Sequence, residues 1–326
     1  MNSSFLPTLS RRAVLAGLSA LPLLVRAQSY PSKPVSVVVP YAPGGTTDIV
    51  ARLMAQALSA STGKNFLIEN KGGGSTTIAT GYVAKAAPDG YTLLANEMTQ
   101  TIVPALFPKL SFDPIKDLAP VTVFAEAPYV LVVNSSVPVK NLRELVELAK
   151  AQPGKLNFAS GGSASGPHIA GELLKSVAGI EMTHIAYKGS GPALSDLLGG
   201  QVQVLITAAP TVIGQMSSGR MRPLAVAHSK RLISLPNVPT AAEAGFPGFS
   251  IANWFGFAAP KGTPADVINY LNMEIQKVLS RPDVKEKLVA AGAEPVFMTP
   301  AEAMRHINAE ALRWGDLVKK ARINLD

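Results

Sequence analysis

Apolar positions along this chain switch between two periods. Residues Val35, Val37, Val38 and Val39 form a near-continuous β-branched run, which predicts a strand buried on both faces. A Gly-rich turn at 43–47 follows. Then Ile49, Val50, Leu53, Met54, Ala57 and Leu58 fall on one face at helical spacing. The pattern continues with a strand at 66–68, a helix at 78–86 closed by Pro88-Asp89-Gly90, and a strand at 91–95. Strand, helix, strand, helix, strand at this spacing predicts an open parallel sheet with helices on both faces.

A second unit repeats the first. Residues 121–133 read as extended and apolar, 141–151 as a helix ended by Gln152-Pro153-Gly154, and 156–159 as a strand. A Gly/Ser loop at 160–166 follows. Pro167 then suits the start of a helix whose apolar face is Ile169, Leu173, Leu174 and Val177. Further strands are expected at 184–187, 202–207, 224–227 and 253–259, and helices at 264–279, 283–291 and 301–322. Two α/β units joined by extended segments point to a bilobed α/β protein with a cleft between lobes.

Composition narrows the class. With 47% hydrophobic and 16% charged residues, the 326-residue chain has ample apolar surface to bury, so disorder is excluded. The absence of cysteine removes disulfides, thiolate metal sites and cysteine nucleophiles. Ser10-Arg11-Arg12, an apolar run of residues 13–25 and Arg26-Ala27 form the three parts of an export signal, and the paired arginines point to the twin-arginine route. The run is shorter than the roughly 20 residues that span a bilayer. Cleavage after Ala27 would remove three arginines and no acid, taking the formal charge from +8 to +5. The remaining basic residues are scattered and not interleaved with aromatics, so nucleic acid is not an expected partner.

Two loops carry candidate chemistry. Each runs from a strand end into a helix start, where free backbone N–H groups and the helix dipole favour an anion. In the first, Gly44 and Gly45 allow close backbone approach, and Thr46 or Thr47 offers a cap and a hydroxyl. Asp48 reads as structural. In the second, Ser163 and Ser165 take the hydroxyl part. Together the two sites could hold the ends of a small dicarboxylate, or one carboxylate and a polar tail. Lys71-Gly72-Gly73-Gly74-Ser75 lacks phosphate-loop spacing, and Gly161-Gly162-Ser163-Ala164-Ser165 lacks the last glycine of a nucleophile elbow. His168 and Glu172, one helical turn apart, could share a metal, but a first-turn packing role is favoured. His306 reads as exposed. No base, nucleophile and orienting group occur together, so neither an enzyme nor a cofactor is expected.

An ordered set of segments resembles the substrate-binding proteins of tripartite tricarboxylate transporters, the Bug family. These are Pro43-Gly44-Gly45-Thr46-Thr47-Asp48, Asn70-Lys71-Gly72-Gly73-Gly74, Pro88-Asp89-Gly90-Tyr91-Thr92-Leu93 and Tyr187-Lys188-Gly189-Ser190, with the Gly199-Gly200-Gln201-Val202 run and Gly262-Thr263-Pro264. The resemblance implies a two-lobed periplasmic binding fold of type II-like architecture, two open sheets flanked by helices. It implies residues 28–125 and 251–326 in one lobe and 126–250 in the other, with crossings near 124–130 and 250–258. It also implies a monomer that closes on a small carboxylate and delivers it to membrane transporter subunits. Carried over by position, the ligand groups are Gly44, Gly45, Thr46, Thr47, Ser160, Gly162, Ser163 and Ser165, with Tyr41 and Trp254 as cleft walls.

The departures from that pattern concern selectivity. Thr207-Ala208 stands where the family has Asp-Asn, which argues against recognition of an amino group. Glu97, in a segment usually rich in Ser, Gly and Thr, is either an exposed loop residue or a cleft residue. In the cleft it would repel a second carboxylate or accept a hydrogen bond. These changes point away from a plain dicarboxylate and toward an aromatic or hydroxylated acid.

Overall fold

The computed structural model describes residues 30–320; the export-signal reading of 1–27 lies outside them. Strand β1 (Val35–Val39) is central to a parallel trio. It pairs with β2 (Phe66–Asn70) on one side and β3 (Thr92–Glu97) on the other, with Val37 opposite Ile68 and Leu93. Helices α1 (Thr46–Thr62) and α2 (Thr77–Ala84) make the crossovers. The α1 face that the apolar spacing marks is buried at Val50, Met54 and Leu58, and Gly63 ends the helix at φ 67°. Helix α3 (Thr99–Leu106) follows β3 directly.

Strand β4 (Leu118–Asn134) is 17 residues long and joins the two halves of the molecule. From Leu118 to Pro128 it pairs antiparallel with β9 (Ala252–Pro260), which in turn pairs with β3. From Tyr129 to Val133 it pairs instead with β7 (Val204–Ala208), and from Val130 to Asn134 with β8 (Met221–Val226) on its other side. Beyond β7 lie β5 (Asn157–Ser160) and β6 (Thr183–Ala186), parallel to one another. Strand order is therefore β2-β1-β3-β9-β4-β7-β5-β6, with β8 and the short β10 (Glu294–Pro295) also on β4. Each flank is parallel as the α/β pattern predicts. The antiparallel centre comes from β4 and β9, whose direction no local pattern reveals.

Around the second half stand α4 (Leu142–Ala151), α5 (Gly166–Ala178), α6 (Ser190–Leu198) and the single turn α7 (Pro210–Ile213). Asn141 caps α4 by accepting the Glu144 N–H at 3.0 Å, and the Glu144 carboxylate accepts the Lys140 N–H, so the first turn closes on itself. The core of this half is built from Val130, Val132, Leu197, Leu205 and Val226. The chain then returns through β9 to the first half. There α8 (Ala265–Ser280), α9 (Pro282–Ala290) and α10 (Pro300–Lys320) complete the packing, α10 lying against α3 and β4.

Candidate functional site

The first Gly loop is held rigid from behind. Gly44, at φ 83°, donates its N–H to Asp48 Oδ2 at 3.0 Å. Asp48 also accepts from Arg52 Nε at 2.9 Å and from Asn70 Nδ2 at 2.9 Å, and Asn70 reaches the Tyr41 carbonyl. Burial would raise the Asp48 carboxyl. The hydrogen bonds from Arg52, Gly44 and Asn70 outweigh it and hold the group below the usual carboxylate range. Asp48 is thus the structural residue its position implies.

Helix α1 begins without a side-chain cap. Its N-cap is Gly45, not a threonine, and Thr46 and Thr47 are already helical. The Thr46 hydroxyl instead crosses to the second half, donating to the Ala208 carbonyl at 3.1 Å and meeting Thr211 Oγ1 at 2.5 Å. Gly45, Thr46 and Thr47 line an enclosed cavity together with Ser190, the first residue of α6. That helix also starts on a glycine without a side-chain cap. Two helix N-termini from opposite halves therefore converge on one space, where their unshared N–H groups and dipoles favour negative charge.

The second Gly/Ser loop is arranged differently from its sequence reading. Ser165 is spent as the cap of α5, accepting the His168 N–H. Ser160 Oγ lies 2.6 Å from His184 Nε2 and also contacts Gly162. Both serines are fully buried. Gly162 and Ser163 face a neighbouring open cleft, which shares Tyr41 and Gly161 with the first cavity. From this loop, only Gly161 and the following Pro167 reach the first cavity. His168 is packed, not metal-poised. Its Nδ1 accepts the Ala164 N–H at 3.1 Å, its ring stacks on His184 at 4.0 Å, and Glu172 pairs with Lys175 at 3.0 Å. Burial, and then the charge of Lys175, pull the His168 pKa down to about 4.

The far wall is Tyr41, Glu97, Tyr129, Thr207 and Asn253. Glu97 ends β3 at 2% exposure, so it is a cavity residue and not a surface one. It accepts the Tyr41 hydroxyl at 2.7 Å, and that hydroxyl lies 2.9 Å from Thr99 Oγ1. Burial pushes the Glu97 carboxyl upward, and hydrogen bonds from Thr99, Tyr41 and Asn253 moderate the rise. Tyr129, wholly buried where β4 passes from β9 to β7, has a hydroxyl with no hydrogen-bond partner. Trp254 is not a cleft wall. Neighbouring strand residues point to opposite faces. Asn253 faces the cavity and accepts the Met98 N–H, while Trp254 packs edge-on against His306 at 5.5 Å. His306 is correspondingly half-buried and not exposed.

Sequence reasoning missed Tyr129, Ser190 and Asn253. Ser190 carries the same signal as the two loops, a strand end and a glycine before a helix start. Asn253 is a polar residue inside an apolar strand. Tyr129 had no local signal.

The halves are closed on one another. Ala42 N–H donates to the Lys188 carbonyl at 2.9 Å, and Gly166 N–H donates to Thr99 Oγ1 at 3.2 Å. Gly191 packs so tightly on the Pro43 carbonyl that a Cβ there would overlap it. The cavity leaves about 320 Å³ of space between its lining atoms, within the range of small-ligand sites.

The chain is similar to several solved structures over nearly their whole length. It shares 34% identity and a TM-score of 0.87 with the periplasmic binding protein BugD, covering 90% of this chain and 99% of that one. With the Rhodopseudomonas palustris protein Rpa4515, solved with adipate, the values are 38% and 0.88, covering 90% and 99%. With MatC of the same organism, solved with bound malate, they are 34% and 0.83, covering 89% and 100%. The model of the tripartite tricarboxylate transporter family receptor matches residues 50–323. The chain belongs to the tripartite tricarboxylate transporter receptor family, a family of substrate-binding proteins.

Proposed function

We propose that this protein captures a small carboxylate in the cavity between its two halves and hands it, in the closed form, to a membrane transporter of the tripartite tricarboxylate type. The lobes are residues 28–125 with 251–326, and 126–250. They rotate about β4 and the start of β9. Residues 1–27 direct export to the periplasm by the twin-arginine route and are removed after Ala27, and the exported protein works as a monomer.

One observation carries this reading. The uncapped N-termini of α1 and α6 come from opposite halves and meet at a single cavity bridged by direct hydrogen bonds between those halves. A carboxylate there would accept N–H groups from both sides and draw them together, so binding favours closure. Adipate and malate, with which two of the relatives were solved, are of this class.

Thermal denaturation of the purified protein against mono-, di- and tricarboxylates tests it. A ligand at about 100 times its Kd adds about 2.7 kcal/mol of stability. A shift confined to acids of one size and polarity is the expected outcome. A flat response to every acid would overturn the assignment.

A further inference from the structure

Glu97 and Tyr129 are an acceptor and a donor without a charged partner between them. Glu97 is buried, lines the cavity, and has no Lys or Arg among the other residues that line it. Tyr129 is wholly buried, lines the same cavity, and its hydroxyl meets no protein acceptor or donor. A buried phenol without a partner is uncommon, and in a binding cavity it marks a place for a ligand atom. The Tyr129 hydroxyl lies over Gly166, in the space that any Cβ there would fill. Burial, and then the nearby Glu97 charge, keep the Tyr129 proton in place.

We propose that Glu97 and Tyr129 select a carboxylate ligand bearing a hydroxyl at its far end, with the ligand hydroxyl donating to Glu97 and accepting from Tyr129. This rests on the carboxylate-binding reading and adds to it the identity of the second ligand group. A ligand carboxylate at that end would face the Glu97 carboxylate at close range, and like charges in a buried site are strongly disfavoured. An ammonium could donate to Glu97 and to the Tyr129 oxygen but has no lone pair to accept the Tyr129 O–H, which would stay unmatched. A hydroxyl accepts from Tyr129 and adds one more donor to Glu97, which Tyr41, Thr99 and Asn253 already bond. Thr207, also on the cavity wall, is uncharged, and Glu97 is the single carboxylate among the lining residues.

Calorimetric titration with matched series tests this. One series is butyrate, 4-hydroxybutyrate, 4-aminobutyrate and succinate. The other is 4-methylbenzoate, 4-(hydroxymethyl)benzoate, 4-(aminomethyl)benzoate and terephthalate, in which the amine is charged. In whichever series fits the cavity, the hydroxy acid is expected to bind at least about tenfold more tightly than its amino and dicarboxylate partners. Glu97→Gln should bring the dicarboxylate to within about threefold of the hydroxy acid, because the buried charge is gone. Tyr129→Phe, which preserves shape, should cost the hydroxy acid about tenfold and leave the unsubstituted acid nearly unchanged. A dicarboxylate or amino acid that binds wild type as tightly as the hydroxy acid overturns this selectivity but leaves carboxylate capture standing. The same holds if neither variant alters the order. Binding of no acid in either series overturns both.

Discussion

The hydroxyl of Tyr41 donates to the buried carboxylate of Glu97 across 2.7 Å, joining the strand end that leads into the first Gly loop to the end of β3. Tyr41→Phe removes that donor and keeps the ring. The carboxylate then stays buried with one fewer hydrogen bond, at a cost of about 1–3 kcal/mol. Urea denaturation should show a lower midpoint with an unchanged slope. A midpoint equal to wild type would mean that water replaces the phenol without loss.

Closure depends on the Thr46 hydroxyl as well as on the ligand. Thr46→Val keeps the volume but deletes the bonds to Ala208 and Thr211. Each lost bond weakens the closed form by roughly 1 kcal/mol. Ligand dissociation should therefore quicken by about thirtyfold, read by stopped-flow, while the on-rate changes little.

Gly191 sets how near the halves can come. A methyl group there would strike the Pro43 carbonyl, and Gly45 lies against the same segment. In Gly191→Ala the helix itself is undisturbed, so unfolding stability should change by less than about 1 kcal/mol. Closure should be blocked. Small-angle scattering with ligand present should give the same radius as without it, whereas wild type should contract.

Gly166→Ala acts inside the wall. Its Cβ would overlap the Tyr129 hydroxyl and crowd Met98. Overpacking of this kind costs about 1–3 kcal/mol. Combining it with Tyr129→Phe should recover part of that loss, because the overlapping oxygen is gone. Equal stability of the single and double variants would show that the strain lies elsewhere.

The buried His168 makes stability depend on pH. Its folded pKa of about 4 lies below the unfolded value of 6.5. Between those values the unfolded chain binds the proton first. Stability is thus fully present above about pH 6.5 and falls as the pH drops toward 4. The whole effect is on the order of 3 kcal/mol. Glu97 has the opposite sign: burial raises its folded pKa, so its share of stability falls as the pH rises above the ordinary carboxylate range. Unfolding midpoints of His168→Gln between pH 4 and 6.5 should show a shallower slope than wild type.

Elements whose signal is local were legible from the chain itself. The β-branched run of β1 and the apolar face of α1 need no tertiary information, and Asn141 announces α4 as its cap. Helix α3 was not legible. Its β-branched residues and Pro104 argue against a helix, and packing beneath α10 overrides that preference. The start of α6 was hidden by Gly191-Pro192, which reads as a turn. In the site, the glycines and Thr46 stood out by their loop, but their partners did not. Asn253 lines the cavity while its neighbour Trp254 packs on His306, because adjacent strand residues face opposite sides and the sequence does not show which side is the cavity. Tyr129 lies in an apolar run where nothing separates a core tyrosine from a cavity tyrosine. The hand-over of β4 between partner strands decides it.

That hand-over at Pro128 and Tyr129 also limits what kind of movement the molecule can make. On either side of it β4 is laced to neighbouring strands, so one half cannot slide along the other without tearing a ladder. What is left is torsion about a short stretch of backbone. A closing movement of the proposed lobes would then be close to a single swing, with Tyr129 beside its pivot. A ligand too long or too short to let the swing finish is rejected by geometry, before any hydrogen bond to it is counted.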